Sequence, residues 1–396
     1  SSAALTFDLG TASISGGDAN GDTLSGIEGA IGTTYADALT GDGGANAFSG
    51  LAGVDTILGA GGDDTIEGGA GGDSLDGGSG ADLLSYAGSA IGVTIDLATG
   101  SVSGGDAAGD TISGFEGAIG SGGADSLKGD SSANKLVGGG GSDTLEGGSG
   151  ADTIDGGAGK DFASYAGSSA AVSVNLATGA VSGGDAAGDV LTSIEGVIGS
   201  YQADTITGSA NADDLRGGSG GDTLSGAAGD DTLEGGAGSD SIAGAADIDF
   251  ASYAGSASGV SVNLTSGATS GGDAAGDTLS GIEGLIGSDH ADFLGGDAGD
   301  NTILGGAGAD TLDAGGGNAN ELLGGDDNDI LIAGAGGDVL DGGAGLDVVS
   351  FENSTEAVRV DLARHVLVGG DAQFDTLKDI EGVAGGDGAA LRLGCG

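Results

Sequence analysis

Apolar residues recur along much of this chain with a period of nine, which is neither the two of a simple strand nor the 3.6 of a helix. The unit reads G-G-x-G-x-D-x-U-x, where U is apolar, and it is clear in GGAGGDSLDGGSGAD at residues 68–82. Glycines at positions one, two and four permit the positive φ and the close backbone approach of a tight turn. The triplet x-U-x predicts a very short strand with one inward side chain. Two units therefore predict one coil of 18 residues, and successive coils stack about 4.8 Å apart.

A longer repeat divides the chain into four runs of nonapeptides and five connectors. The last Asp of one run and the first Asp of the next are 43 residues apart at each of the three internal connectors, and these connectors share SYAGS and GGDAAGD. Connectors of fixed length beside runs of variable length predict a solenoid that gains or loses whole turns. The predicted segments are a connector cut short at 1–36, run 1 at 37–82, a connector at 83–124, run 2 at 125–161, a connector at 162–203, run 3 at 204–249, a connector at 250–291, run 4 at 292–347, and a connector with the end of the chain at 348–396.

The fold predicted from these periods is all-β, a parallel β-roll or β-solenoid with about 18 residues per coil in the runs. The U residues, mostly Leu and Ile, fill its interior. This core is narrow, with about two side chains per coil, and is weak by itself.

Composition and charge indicate that the predicted fold needs bound cations to neutralise its acidic residues. The chain has 396 residues, 96 of them Gly, with no Pro, and 61 acidic residues against 8 basic ones give a formal charge of −53. Collagen, a membrane-spanning helix and nucleic-acid binding are excluded by this pattern, and a single cysteine, Cys395, excludes a disulfide framework. No initiator Met or signal peptide is visible, which suggests a fragment or a processed product.

Twenty of the acidic residues, all Asp, fall at the sixth position of the nonapeptide, where stacking brings them into columns. Ca²⁺ suits such columns because it accepts six or more flexible oxygen ligands, whereas Mg²⁺ demands a tighter octahedron and Zn²⁺ prefers nitrogen and sulfur. Four of the 24 positions carry Asn instead (Asn46, Asn134, Asn301 and Asn320), and sites there are expected to be weaker. The candidate metal ligands are Asp37, Asp55, Asp64, Asp73, Asp82, Asp125, Asp143, Asp152, Asp161, Asp204, Asp213, Asp222, Asp231, Asp240, Asp249, Asp292, Asp310, Asp329, Asp338 and Asp347.

These nonapeptides closely resemble the RTX repeats of secreted bacterial proteins, which form a calcium-binding parallel β-roll. The resemblance implies that each turn shares an ion with the turn two units, or 18 residues, further on. Asp55 would then share an ion with the turn of Asp73, and Asp64 with that of Asp82. The same rule implies roughly 16 Ca²⁺ ions for the four runs.

The connectors leave two interpretations open. Each begins with a strand-like alternation and continues with a Gly-Asp loop and a Glu, represented in the second connector by Asp106, Asp110 and Glu116. These three carboxylates predict either an extra cation site or a polar loop that caps a wider coil. The connectors either continue the roll with longer turns or form lateral bumps on it.

The sequence can be compared with three classes of function. An enzyme is disfavoured, because the chain holds two histidines and no recognisable catalytic motif. We expect a calcium-binding, extracellular structural or surface protein, such as an adhesin, an S-layer protein or a filament-forming rod, that folds on Ca²⁺ after export. The alternative is the C-terminal secretion and folding domain of a type I secreted exoenzyme, such as a protease or lipase. The expected partners are calcium and further copies of the chain in a filament or lattice, with no nucleic acid and no membrane-spanning segment.

Overall fold

The computed structural model describes residues 3–364, 366–385 and 390–392. Within these ranges the chain forms short strands and short 3₁₀ turns and contains no α-helix. None of the described helical turns is long and apolar enough to cross a membrane. The chain divides into two compact units, Ser1–Ile198 and Gly199–Gly396.

Most strands have three residues, as the x-U-x triplet predicts, because the glycine turn begins directly after it. The strands of the first unit are β1 (Thr6–Asp8), β2 (Ser13–Ser15), β3 (Gly29–Ile31), β4 (Ala38–Thr40), β5 (Ala47–Ser49), β6 (Ala52–Gly53), β7 (Thr56–Leu58), β8 (Thr65–Glu67), β9 (Ala70–Gly71), β10 (Ser74–Asp76), β11 (Leu83–Ser85), β12 (Thr94–Asp96), β13 (Ser101–Ser103), β14 (Thr111–Ser113), β15 (Gly117–Ile119), β16 (Ser126–Lys128), β17 (Lys135–Gly140), β18 (Thr144–Glu146), β19 (Thr153–Ala158), β20 (Phe162–Ser164), β21 (Ser173–Asn175), β22 (Ala180–Ser182), β23 (Val190–Thr192) and β24 (Gly196–Ile198).

The second unit contains further strands of the same kind, several of which extend into the following turn. They are β25 (Thr205–Thr207), β26 (Asp214–Gly220), β27 (Thr223–Ala228), β28 (Thr232–Gly238), β29 (Ser241–Ala246), β30 (Phe250–Ser252), β31 (Ser261–Asn263), β32 (Ala268–Ser270), β33 (Thr278–Ser280), β34 (Gly284–Ile286), β35 (Phe293–Gly295), β36 (Thr302–Ala307), β37 (Thr311–Asp313), β38 (Glu321–Asp326), β39 (Ile330–Ile332), β40 (Val339–Ala344), β41 (Val348–Phe351), β42 (Arg359–Asp361), β43 (Val366–Val368), β44 (Thr376–Lys378), β45 (Gly382–Gly385) and β46 (Ala390–Arg392). The 3₁₀ turns of the chain are Gly17–Ala19, Gly105–Ala107, Gly184–Ala186, Gly272–Ala274, Leu362–Arg364 and Gly370–Ala372.

Parallel ladders join every second strand of a run, which confirms the β-roll. In the first unit one ladder runs β1–β4–β7–β10–β14. A second runs β3–β5–β8–β11–β15–β17–β19–β23. A third runs β12–β16–β18–β20–β24. Apart from the two-residue strands β6 and β9, which pair with each other, the strands of a run therefore alternate between two ladders, and two nonapeptides complete one coil.

The second unit repeats this arrangement. Its ladders run β25–β27–β29–β33, then β26–β28–β30–β34–β36–β38–β40–β44, and β31–β35–β37–β39–β41–β45. The one step of ten residues in run 4 is absorbed in a glycine turn, because Thr302 still pairs with Glu321 and the parallel ladder continues.

The core is the set of U residues, stacked in register. Leu39 pairs with Ile57 and Ile57 with Leu75, and each of these side chains is at most 1% exposed. On the other ladder Leu136 pairs with Ile154 in the same way. A fully buried Leu or Ile contributes about 1.5–3 kcal/mol, so each nonapeptide adds one modest increment.

The connectors continue the roll and also carry a hairpin. In the connector 83–124, strands β14 and β15 extend the ladders of β10 and β11. The backbone N–H of Thr111 donates to the carbonyl of Asp73, and that of Gly117 to the carbonyl of Asp82. Strand β12 forms an antiparallel hairpin with β13 and starts the next ladder at β16. A connector is thus a wide coil that ends one parallel ladder and begins another.

Candidate metal centre

The Asp residues predicted from the period lie at the ends of the glycine turns and are buried. All twenty are at most 5% exposed. Inside a run, the backbone N–H of an Asp donates to Oδ1 of the Asp one coil further on, as Asp55 does to Asp73 at 2.8 Å and Asp143 to Asp161 at 2.8 Å. The equivalent bonds across the runs span 2.7–3.0 Å. Each carboxylate is therefore fixed between two stacked turns.

The second oxygen of most of these carboxylates has no hydrogen-bond partner in the described structure. We call a turn open when its Asp Oδ2 is buried and unpartnered in this way. A buried acceptor without a partner costs about 1–3 kcal/mol, and more for a charged group, so a column of them requires an outside ligand. The Asp residues of the open turns are Asp55, Asp64, Asp73, Asp82, Asp143, Asp152, Asp161, Asp222, Asp231, Asp240, Asp249, Asp310, Asp329, Asp338 and Asp347.

Burial makes the charged form of these groups unfavourable. It raises the pKa of Asp55 and of Asp143 to about 6, and that of Asp310 to about 7, with neighbouring carboxylates of the column adding to the shift. The chain holds 8 Lys and Arg against 61 Asp and Glu, so its own cations are too few to neutralise the columns.

Oxygen atoms of successive turns converge where glycine leaves room. A Cβ on Gly71 would collide with the carbonyl oxygen of Gly53, one coil earlier, and would lie 2.9 Å from Oδ1 of Asp73. Gly238 stands in the same relation to Gly220. Main-chain carbonyl and carboxylate oxygens thus approach one another from two stacked turns, and a side chain would fill the space.

This donor set fits a hard divalent cation. Among the residues that the structure describes, no three acidic, His or Cys side chains converge as a ready-made ligand set. Ligands beyond the carboxylates of two turns would therefore be main-chain carbonyls or water, which Ca²⁺ accepts in flexible geometry and at high coordination number. Ca²⁺ would supply the positive charge that the buried carboxylates need.

The remaining five predicted ligands lie in a different environment. We call a turn closed when the N–H of its second residue donates to the side-chain oxygen of its last residue. In the turn Ser209–Asp213 the Ser209 N–H donates to Asp213 Oδ2 at 2.5 Å and its hydroxyl to Oδ1 at 3.2 Å. The closed turns that end in Asp pair Thr33 with Asp37, Ser121 with Asp125, Ser200 with Asp204, Ser209 with Asp213, and Ser288 with Asp292.

Three of the four Asn positions also belong to closed turns. The N–H of Asp42, Asp130 and Asp297 donates to the side-chain oxygen of Asn46, Asn134 and Asn301, at 2.7–2.9 Å. Asn320 differs, because its amide nitrogen donates to the carbonyl of Gly316. The sequence signal for closed turns is a Ser, Thr or Asp in place of the second glycine, and the nonapeptide consensus alone does not reveal it.

In the connectors the carboxylates separate instead of forming a cluster. Oδ1 of Asp110 accepts the N–H of Asp73 at 2.7 Å, whereas Oε2 of Glu116 accepts the N–H of Asp82 at 2.9 Å. Each therefore continues a different column of the run before it. Asp106 uses its backbone N–H to bind the Ser89 hydroxyl. The interpretation of the connector as a polar, wider coil is the one that this geometry favours.

The second oxygen of the connector Asp is held by a tyrosine. The hydroxyl of Tyr165 donates to Oδ2 of Asp189 at 3.1 Å, and burial raises the pKa of Tyr165, which keeps the phenol protonated. Tyr253 and Asp277 repeat the contact at 3.1 Å. In these connectors the Asp carboxylate therefore has a hydrogen-bond donor from the protein itself. The sequence pattern did not suggest this role for Tyr.

Comparison with known families agrees with this geometry. The RTX calcium-binding nonapeptide repeat family (4 copies) matches more than half of the chain. This chain therefore belongs to the family of RTX calcium-binding nonapeptide repeat proteins. No curated protein matches the chain. The matched residues are 22–57, 31–66, 49–84, 105–145, 119–153, 128–163, 197–224, 216–251, 286–319 and 315–349.

Family and fold together establish the class of this protein. It is a calcium-binding β-roll repeat protein of the kind that type I systems secrete, and the matched segments form its repeat region.

Proposed function

We propose that this chain is an extracellular structural or surface protein, such as an adhesin, an S-layer protein or a filament component, that folds when it binds Ca²⁺ after export. The observation that carries the proposal is the set of open turns, whose buried carboxylate oxygens have no protein partner. Such a column disfavours the folded state in the absence of cations and favours it in their presence.

The switch follows from charge and linkage. At low calcium the formal charge of −53 opposes compaction, and the narrow apolar core is too small to overcome this repulsion. Where calcium is plentiful, ions bind the folded turns and not the extended chain, so binding free energy becomes folding free energy. The absence of proline also allows every backbone N–H to join a ladder and removes slow proline isomerisation.

The arrangement of the strands, the histidine and the carboxylates favours a structural role over catalysis. Runs and connectors account for the ladders of both units. His290, the one histidine that the structure describes, is exposed, and its backbone N–H donates to the Ser288 hydroxyl. The buried Asp carboxylates of the runs, which a hydrolase could use, are engaged in the columns. A repeat array of this kind suits a protein whose task is to hold a shape.

Electron microscopy of the purified chain with calcium and with excess chelator tests the proposal. Ordered filaments or lattices that vanish with chelator support a self-assembling structural protein. Single ordered particles that vanish with chelator retain the calcium switch but favour the alternative, a folding and secretion domain of an exoenzyme. Particles that chelator leaves unchanged would overturn the calcium mechanism.

A further inference from the structure

Closed turns occupy one particular place in every run: they form its first coil. The first two turns of each run are closed, and the open turns follow. Run 3 shows this without any Asn, because Asp204 and Asp213 are closed and Asp222 and Asp231 are open. The closed pairs that begin the four runs are Asp37 and Asn46, Asp125 and Asn134, Asp204 and Asp213, and Asp292 and Asn301.

The backbone separates the two kinds of turn independently of the carboxylate. In every open turn except that of Asp338 the second residue has positive φ, as at Gly218 (102°) and Ala227 (83°). In the Asp338 turn, Gly334 lacks the positive φ. Burial raises the pKa of Asp338 and the Gly334 backbone N–H lowers it, although Oδ2 stays without a hydrogen-bond partner. The second residue of a closed turn, such as Ser209, is not among the positive-φ positions and points its N–H at the carboxylate. A Ser, Thr or Asp there avoids the left-handed region that glycine tolerates, and it supplies the donor.

We propose that the first coil of every run is free of calcium and that the N–H of the second residue of each of its turns, joined by a Ser or Thr hydroxyl where the turn ends in Asp, takes the place of the ion. This inference rests on the proposed calcium-dependent folding and refines it. A carboxylate that accepts an N–H and a hydroxyl is already stabilised in its charged form. An ion at that carboxylate would compete with the N–H for Oδ2, the oxygen that has no partner in an open turn.

The inference changes the expected number of ions. If an ion takes ligands from two open turns one coil apart, the pairs that include a first-coil turn or the Asn320 turn bind none. The expectation then falls from about 16 ions to about seven for the four runs. The first coil remains as a part of the roll that is complete without metal.

Two Asn substitutions in one column provide a matched test. Asp213 and Asp231 are consecutive in a column, since the Asp213 N–H donates to Asp231 Oδ1 at 2.8 Å. Asn is already tolerated at the second closed turn of the other runs, where its amide oxygen accepts the equivalent N–H, as Asn134 does. We expect Asp213→Asn to leave calcium stoichiometry unchanged and Asp231→Asn to lower it by one ion, measured by equilibrium dialysis with atomic absorption on the whole chain.

A gain-of-binding variant guards against simple misfolding. Ser209→Gly combined with Asn211→Gly converts the closed turn GSANAD into GGAGAD, the form of an open turn. We expect this variant to bind one more ion than the wild type while circular dichroism shows the same β content. An unchanged stoichiometry in the folded variant would contradict the inference, as would an equal loss in Asp213→Asn and Asp231→Asn.

The wild-type chain separates failure of the inference from failure of the proposed function. Binding of about seven ions supports both, and binding of about 16 overturns the calcium-free first coil while it leaves the calcium switch intact. A wild-type chain that binds no calcium and stays folded in chelator would overturn the proposed function itself.

Discussion

The hydroxyl of Tyr86 donates a 2.8 Å hydrogen bond to Oδ2 of Asp110, the oxygen that has no partner in an open turn. The last connector has Phe351 where the others have this Tyr, and there Oδ2 of Asp375 is unpartnered and burial raises the pKa of Asp375 to about 7. At equivalent positions of one chain, the Asp Oδ2 thus accepts a Tyr hydroxyl in one connector and has no hydrogen-bond donor in another. The contrast shows that this carboxylate oxygen is satisfied wherever the sequence provides a hydroxyl.

Removal of one such hydroxyl should destabilise the folded chain. Tyr165→Phe leaves Asp189 Oδ2 buried without its donor, and we expect a loss of about 1–3 kcal/mol in the free energy of unfolding at saturating calcium. Urea denaturation followed by circular dichroism measures it. Tyr201→Phe is the control, because Tyr201 is 70% exposed and should change stability little. Equal effects of the two substitutions would argue against the role of the Tyr165 hydroxyl.

The close stacking of the turns predicts a strong difference between two glycines. Gly71→Ala places a Cβ against the carbonyl of Gly53, whereas Gly43→Ala meets nothing within 4 Å. We expect Gly71→Ala to cost about 1–3 kcal/mol and to raise the calcium concentration at the folding midpoint, because the stacked turns must separate. Gly43→Ala should leave that midpoint near the wild-type value. A normal midpoint for Gly71→Ala would show that the turns stack more loosely than described.

The single apolar residue of each nonapeptide should matter as much as a core residue of a larger domain. Ile154 is 0% exposed between two stacked neighbours, so Ile154→Ala should cost about 2–5 kcal/mol. The matched control is Ile91→Ala, since Ile91 is 68% exposed. Urea denaturation in the presence of calcium measures the free energy of unfolding of the two variants. A similar small effect for both would contradict an interior built from the U residues.

The raised pKa values of the column predict how pH acts on the chain without calcium. The pKa of Asp55 rises from 3.8 to about 6 on folding, and that of Asp310 to about 7, so these groups favour the folded state when they are protonated. Their contribution is fully present below about pH 4 and is lost as pH rises through 6 to 7. In chelator we therefore expect more β structure by circular dichroism at pH 4 than at pH 8. An equal or greater content of β structure at pH 8 would contradict the account that the column carboxylates are buried without a neutralising charge.

The nine-residue period was sufficient to predict the coil, because glycine turns and one apolar residue leave few alternatives. It correctly anticipated the pairing of turns 18 residues apart, such as those of Asp55 and Asp73. It did not separate open from closed turns, since that depends on the sign of φ at one residue and on a single N–H. The Tyr165–Asp189 contact was also missed, because the two residues are 24 positions apart and meet only when the connector completes its coil.

Calcium titration of the whole chain, followed by far-ultraviolet circular dichroism, tests the central claim most directly. Starting from a calcium-stripped sample at pH 8, we predict little β signal, then a cooperative rise to the folded spectrum as calcium is added. Magnesium at the same concentrations should not reproduce the rise, because the open turns offer flexible carbonyl and carboxylate ligands rather than a tight octahedron. A chain that shows the full β spectrum in chelator at pH 8, unchanged by calcium, would contradict the account.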